Sequence, residues 1–422
     1  VTQPSLTSLW DATAPRPAPT PALQGEAAAH IAIIGAGFTG LSAALHLAEA
    51  GQDVAVLDAE APGWGASGRN GGQVIAGVKD DPDVLAQKFG DAAGTRLAKA
   101  VGEGPDLVFS LIERHHIDCA PIRAGWLQPA VSPATIRTIE HRARQWQAHG
   151  IATRVLDAAE TTRLTGSALY PAALLDPRGG TVQPLSYARG LAAAAATAGA
   201  RLFGESRALR LTRRENTWRI ETPRGALQAG TVILATNAYA DTLHNPLRRS
   251  VVPIPSFQVA TEKLPPDLRA TVLPHGHSAS DLKRLLRYFR LHDGRLLMGG
   301  RGAFATTPPA ALIARMRAAI AAVYPAAAAL KLDYAWGGMV AVTTDHLPHL
   351  HELEPGLHAG LGYNGRGVAM ATLMGRMLAR RALGQDTDFP TTPLRPIKFH
   401  GLSRLGAQAT IEYLRLRDRL DP

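Results

Sequence analysis

The chain has 422 residues, 46 % of them hydrophobic and 19 % charged, which excludes a disordered or fibrous protein and suits two globular domains with sizeable cores. Its net charge of +10 comes mainly from arginines spread along the chain, which read as a solvated basic surface, the other reading being attraction of phosphate or carboxylate groups. A single cysteine, Cys119, excludes internal disulfides and cysteine-based metal clusters, and no uninterrupted apolar run reaches the roughly 18 residues of a spanning helix.

The N-terminal stretch through Glu26 lacks a basic segment followed by an apolar one, so no secretory signal is expected and the simplest location is cytoplasmic. Residues 15 to 25 hold four prolines among small residues and read as an extended arm. Ile31 to Ile34 is an apolar run suited to a buried parallel strand. Gly35 to Gly40 is a turn, Leu41 to Ala50 has helical apolar spacing, and Gly51 ends that helix. Val54 to Leu57 is a second strand, which completes a strand–helix–strand unit.

The glycines Gly35, Gly37 and Gly40 have distinct tasks. The first permits a tight turn, the second lets backbone approach a pyrophosphate, and the third lets helix and strand pack closely. The amides of the helix start, around Phe38 and Thr39, then face the anion. Asp58 follows Gly40 by eighteen positions, at the end of the second strand, where its carboxylate can accept ribose hydroxyls. In that context the motif reads as a dinucleotide site.

Further along, an alanine-rich helix and short strand follow Pro184, and Thr231 to Ala240 is a strand running into a small-residue turn. Arg287 to Gly302 reads as a hairpin turning at His292–Gly294. Gly356 to Gly384 is a strand, a glycine-rich turn and a long helix. The expected architecture is mixed α/β. A Rossmann-like nucleotide domain is assembled from residues 30–79, 165–245 and 335–385, preceded by an arm over 1–29. A second domain with a mostly antiparallel sheet comes from 80–164 and 246–334. The tail over 386–422 carries a basic helix with Arg404, Arg415, Arg417 and Arg419.

The segment Gly63-Trp-Gly-Ala-Ser-Gly-Arg-Asn-Gly-Gly-Gln73 places five glycines around Ser67, Arg69 and Asn70. Such a backbone can lie flat against a large planar ligand. At this point the chain resembles the D-amino-acid oxidase superfamily of flavoenzymes, with its closest likeness to the gamma-glutamylputrescine oxidase branch. The string Ser8 to Ala14 adds to that likeness. So do Asp176 to Leu185, Ala235-Thr-Asn-Ala238, Ser280-Asp281, Tyr288-Phe-Arg290, Gly299-Gly-Arg301, Trp336-Gly-Gly338, Thr344 to Pro348 and Gly362-Tyr-Asn-Gly-Arg-Gly367.

The resemblance implies FAD as cofactor. It implies contacts from Gly65, Ala66, Ser67, Arg69, Asn70, Gly71, Gly72 and Gln73, from Ala235, Thr236 and Asn237, and from Gly362, Asn364, Gly365, Gly367 and Val368. The family usually has Glu where Asp58 stands, and Ser and His where Asn364 and Arg366 stand. An arginine does not exchange protons at neutral pH, so Arg366 reads as a fixed charge near the ring. Sarcosine-oxidase-like relatives hold the substrate carboxylate with a lysine where this chain has Ala369. They tether flavin through a cysteine near Met339, so noncovalent FAD is expected here.

The implied reaction is oxidation of a C–N bond in an amine, a gamma-glutamylated amine or amino acid among the candidates, with oxygen as acceptor. Tyr363 is the first choice to face the substrate, against a reading in which it packs beneath the ring. Trp336 is either an aromatic wall or a core residue. Tyr288 and Arg290 share one strand face and are candidates to meet an acidic tail, against a surface hairpin. His346, His349 and His351 cluster in sequence, but Pro348 interrupts any regular element, and no metal is expected. The alternative activity is an amino-acid dehydrogenase passing electrons to a quinone or carrier, with the basic C-terminal helix touching a membrane surface. A remoter one is an FAD module of RNA modification, although no nucleic-acid partner is expected.

Overall fold

The computed structural model describes residues 4, 5, 7–301, 304, 305 and 307–420, with backbone alone at 301, 419 and 420. Gly302 and the side chains of Arg301 and Arg419 therefore lie outside the described residues. The fold is mixed α/β and is built on two large sheets.

The first sheet runs in the order His349–Glu354, Leu357–Leu361, Gly225–Leu234, Gly25–Ile34, Val54–Leu57, Arg201–Phe203. Its centre is parallel: Ile34 pairs with Leu57 on one side and Leu234 on the other. These strands are buried along their inner halves, which is why they read as apolar runs without alternation. Helices Phe38–Glu49, Pro184–Thr197 and Gly367–Ala382 pack against it and against one another, with Ala43, Ala44, Leu47, Ala188, Leu191 and Met374 at the contacts. The small residues let these helices approach closely.

The second sheet runs in the order Leu332–Val342, Val252–Lys263, Arg295–Arg301, Tyr288–His292, Ser278–Ser280, Trp126–Ala130, Ala172–Asp176, Arg154–Leu156. Its pairings are antiparallel apart from Ser278–Ser280 beside Trp126–Ala130. Helix Ala310–Val323 covers one face through Leu312, Met316 and Ile320. Gln73–Val74 pairs with Gly180–Thr181 and carries the chain between the two sheets.

Several expected boundaries move. The first strand begins at Gly25, inside the expected arm. Helices Pro82–Phe89, Asp91–Gly102 and Gly104–Arg114 join the first core through Leu85, Leu97, Val101, Val108 and Leu111, not the second domain. Strands Ala172–Asp176 and Leu332–Val342 belong to the second sheet, although both fall at least partly within segments assigned to the nucleotide domain. Strand partners decide this: Trp126 pairs with Asp176, and Val259 with Ala335.

The C-terminal helix Ser403–Leu420 turns Ile411 inward and leaves Leu405, Tyr413 and Leu416 exposed. Among the described residues no helix is long and apolar enough to cross a membrane.

Candidate functional site

One cavity of about 820 Å³ runs between the two sheets, within the range of cofactor and ligand sites. One end is the turn Gly35 to Thr39. Helix Phe38–Glu49 starts from Gly37, which supplies no side-chain cap; the Phe38 amide is taken by Ser67, and the Thr39 amide stands at the cavity end of the helix. The turn is held by short contacts. A Cβ on Gly40 would lie 1.8 Å from the Gly35 oxygen, so only glycine lets helix and strand meet there. Ser67 Oγ accepts from the Phe38 amide at 2.9 Å and ties the Gly63–Gln73 loop to the helix start.

Asp58 ends its strand at the cavity wall. Its carboxylate accepts from the Ala36 amide at 2.5 Å and the Glu60 amide at 2.9 Å. Burial raises its pKa, partly opposed by these amides. Two carboxylate oxygens offer about four acceptor positions, so capacity remains for ribose hydroxyls. The helix start, the acid at the strand end and the size of the cavity all fit a dinucleotide such as FAD.

The middle of the cavity is lined by Gly65, Ala66, Ser67, Arg69, Asn70, Gly71 and Gln73, and by Ala235, Thr236 and Asn237. Asn70 spends its side chain on the loop itself: Nδ2 donates to the Ser67 carbonyl at 2.8 Å, and Oδ1 accepts from the Gly72 amide at 2.8 Å. Gln73 is buried and donates to the Ala279 carbonyl at 3.0 Å, which anchors the loop to the second sheet. Asn237 Oδ1 accepts from the Gly362 amide at 3.0 Å. Tyr363, Asn364, Gly365, Gly367 and Val368 line the opposite wall.

Five residues expected at the site do not line the cavity. Gly40 stands behind the turn, Gly72 behind the loop near the Val182 carbonyl, and Gly362 beside Thr343. Trp336 is a core residue: it is buried and donates from Nε1 to the Arg69 carbonyl at 3.1 Å. Arg290 does share a strand face with Tyr288, but it lies one strand repeat deeper. It is buried under the loop, donating to the carbonyls of Gly72 at 3.1 Å and Val182 at 2.6 Å. Burial pushes its pKa down to about 9.

Tyr288 does line the cavity, with its ring over Gly299 and its hydroxyl 3.0 Å from Ser256 Oγ. Tyr363 also lines it, but its hydroxyl is committed to Thr39 Oγ1 at 2.6 Å. Burial raises that phenol well above its usual range, so it stays protonated at neutral pH. Arg366 donates to the Ala76 carbonyl and lies over the Trp126 ring at 5.5 Å. Burial, and then nearby Arg142, push it down to about 9, so it remains a cation at pH 7.

The far end of the cavity was only partly legible in the sequence, through Ser280, Asp281 and Arg366; its other residues belong to no motif. Trp126, Gln128, Ser280, Leu282 and Leu286 line it together with the cations Lys79, Arg142, Lys283 and Arg284. Asp281 is there too, but its buried carboxylate accepts from Arg287 at 2.5 Å. Trp64 and Tyr239 line the cavity edge-to-face at 6.0 Å; Trp64 lies within the Gly63–Gln73 string and Tyr239 follows Ala238. Among the described residues no group of three or more His, Cys, Asp and Glu is placed to hold a metal ion. His349 pairs with Asp345 at 3.0 Å, while His351 Nδ1 donates to the Thr392 carbonyl at 2.7 Å.

The chain matches known proteins along most of its length. The profile of the FAD dependent oxidoreductase (DAO) family matches residues 30–381. Gamma-glutamylputrescine oxidoreductase of Escherichia coli (strain K12) is 33 % identical over 420 residues, covering 98 % of each chain. A probable oxidoreductase, OrdL, of Haemophilus influenzae is 34 % identical over 85 % of this chain and 84 % of its own length. The crystal structure of glycine oxidase from Geobacillus kaustophilus superposes with a TM-score of 0.73, at 22 % identity, over 88 % of this chain and 99 % of that one. The chain belongs to the DAO family of FAD-dependent oxidoreductases.

Proposed function

We propose that the chain oxidises a C–N bond in a small amine that also carries a carboxylate, a gamma-glutamylated amine or an amino acid, with noncovalent FAD and with oxygen as electron acceptor. The observation that carries this reading is the full-length similarity to gamma-glutamylputrescine oxidoreductase. When bound, FAD supplies the two-electron chemistry that turns the amine into an imine, which water hydrolyses to an aldehyde or ketone.

The protein's part is position and charge. The far end of the cavity is lined by the cations Lys79, Arg142, Lys283, Arg284 and Arg366, of which Arg142 pairs with Asp81 at 2.6 Å and Arg284 with Asp418 at 3.4 Å. Nearby positive charge disfavours a protonated amine and so favours the neutral form that reacts. The same charges attract a substrate carboxylate. Arg366 stands at the start of helix Gly367–Ala382, so its guanidinium and the helix N-terminus add positive potential on one wall. Trp126, Leu282 and Leu286 add apolar surface to that end. The chain's one cysteine, Cys119, is buried and does not line the cavity, which supports a noncovalent cofactor.

The test is an anaerobic titration of the yellow holoprotein with a panel of amines and amino acids, followed by admission of air. Bleaching by a carboxylate-bearing amine and stoichiometric hydrogen peroxide are expected. Bleaching without rapid reoxidation by oxygen points to a dehydrogenase instead. No bleaching by any member of the panel removes the proposal. Acid precipitation should release the flavin into the supernatant, and a coloured pellet would refute noncovalent binding.

A further inference from the structure

The family profile begins at residue 30, yet an earlier segment reaches the back of the cofactor loop. The short helix Leu9–Thr13 is capped by Ser8, whose Oγ accepts from the Asp11 amide at 3.0 Å. It buries Trp10 fully, in a cluster with Leu185, Ala260, Leu297 and Trp336. The indole meets Trp336 edge-on at 5.8 Å and His292 at 5.0 Å, and the Arg290 guanidinium lies 5.7 Å from the ring. Gln183 holds the segment from the other side, donating to the Trp10 carbonyl at 2.9 Å and to Thr13 Oγ1 at 3.2 Å.

The indole Nε1 donates to the Asn70 carbonyl at 2.8 Å. The neighbouring Arg69 carbonyl accepts from Trp336 Nε1 at 3.1 Å and from Gln258 Nε2 at 2.9 Å. Trp10 and Trp336 do not line the cavity, whereas Arg69, Asn70 and Gly71 do. The Asn70 carbonyl is thus drawn to the side of the loop away from the cavity, whereas the Arg69 carbonyl is shared between Trp336 and Gln258, which does line it. In a trans peptide the N–H points opposite to the C=O. Fixing the Asn70 carbonyl outward therefore turns the Gly71 amide toward the cavity. That amide has no hydrogen-bond partner among the described residues.

We propose that Trp10 is a positioning residue of the FAD site: its indole N–H anchors the Asn70 carbonyl so that the loop presents the Gly71 amide to the cofactor. The N-terminal segment is then a working part of the site and not a passive arm. The inference rests on the cofactor cavity and is independent of which amine is oxidised, because it is tested without substrate.

The test compares Trp10→Phe, which keeps an aromatic ring but removes the N–H, with Leu9→Ala, a buried neighbour without a polar contact. Three readouts are taken: the FAD dissociation constant of the apoprotein, the visible spectrum of the holoprotein, and amide hydrogen exchange across residues 64–74. Loss of one buried hydrogen bond predicts FAD binding about three- to tenfold weaker in Trp10→Phe. Faster exchange in the loop and a shifted flavin band should accompany it. Leu9→Ala should lower the melting temperature without moving the band. Wild-type values for Trp10→Phe overturn the proposal, and so does a Leu9→Ala variant that reproduces all of its changes. Should Trp10→Phe not fold, Thr13→Val removes one of Gln183's two acceptors and loosens the segment without opening the core. It should shift the same readouts in the same direction, and unchanged readouts there also overturn the proposal.

Discussion

Replacing Gly40 with alanine tests the link between helix packing and cofactor affinity. The added Cβ would stand 1.8 Å from the Gly35 oxygen and 3.2 Å from Ile33 Cγ2. Carbon and oxygen do not approach closer than about 3 Å, so the helix start must retreat by roughly 1 Å. It has little room. Behind it, helix Gly367–Ala382 approaches so closely that a Cβ on Gly375 would sit 2.5 Å from the Thr39 oxygen. Overpacking of this kind costs about 1–3 kcal/mol. The retreat also carries the amides of the helix start away from the pyrophosphate position. A hydrogen bond to a charged group is worth about 1.5–3 kcal/mol, so losing one weakens FAD binding by about 10- to 100-fold. The assay is fluorescence titration of the apoprotein with FAD, alongside its melting temperature. Gly230→Ala is the control, since its Cβ would lie 3.7 Å from the nearest atom, the His30 oxygen. An FAD affinity within twofold of wild type in Gly40→Ala would refute the reasoning.

Arg178 and Asp176 form a buried pair at 2.5 Å, with the guanidinium over the Trp146 ring at 4.1 Å. Arg178→Met strands a buried carboxylate and should cost about 3–5 kcal/mol in chemical denaturation, whereas Arg178→Met with Asp176→Leu should recover much of it. A double variant no more stable than the single would contradict this account. Burial pushes His351 down to about 4, below the usual 6.5. The unfolded chain therefore takes up the proton first as pH falls, so stability is complete above about pH 6.5 and is lost down through about pH 4, by up to about 3 kcal/mol from this group. Melting temperatures of wild type and His351→Asn between pH 7.5 and 4.5 should show a shallower slope in the variant; parallel slopes would count against it. Arg366→Met should raise KM for carboxylate-bearing amines and lower kcat/KM by about 10- to 100-fold, with smaller effects on amines lacking a carboxylate. Equal losses for both classes would place Arg366 outside carboxylate recognition.

The sequence by itself determined the strand–turn–helix unit that forms one end of the cavity. A tight turn, a helix start and an acid at the next strand end depend on residues 31 to 58, close along the chain, so their spacing is enough to read them. The order of the glycine-rich segments likewise marked the walls of the cavity. Its far end is different. Trp126, Arg142, Lys283 and Arg366 meet there because strands and helices from distant segments pack together, and no local pattern records that. The same holds for Tyr288 and Arg290, which look equivalent on their strand until the loop at Gly72 covers one and leaves the other open. It holds most of all for Trp10, whose partner Asn70 is 60 residues away. Local backbone geometry is written in neighbouring residues, while a contact between distant ones exists only once the sheets have brought them together.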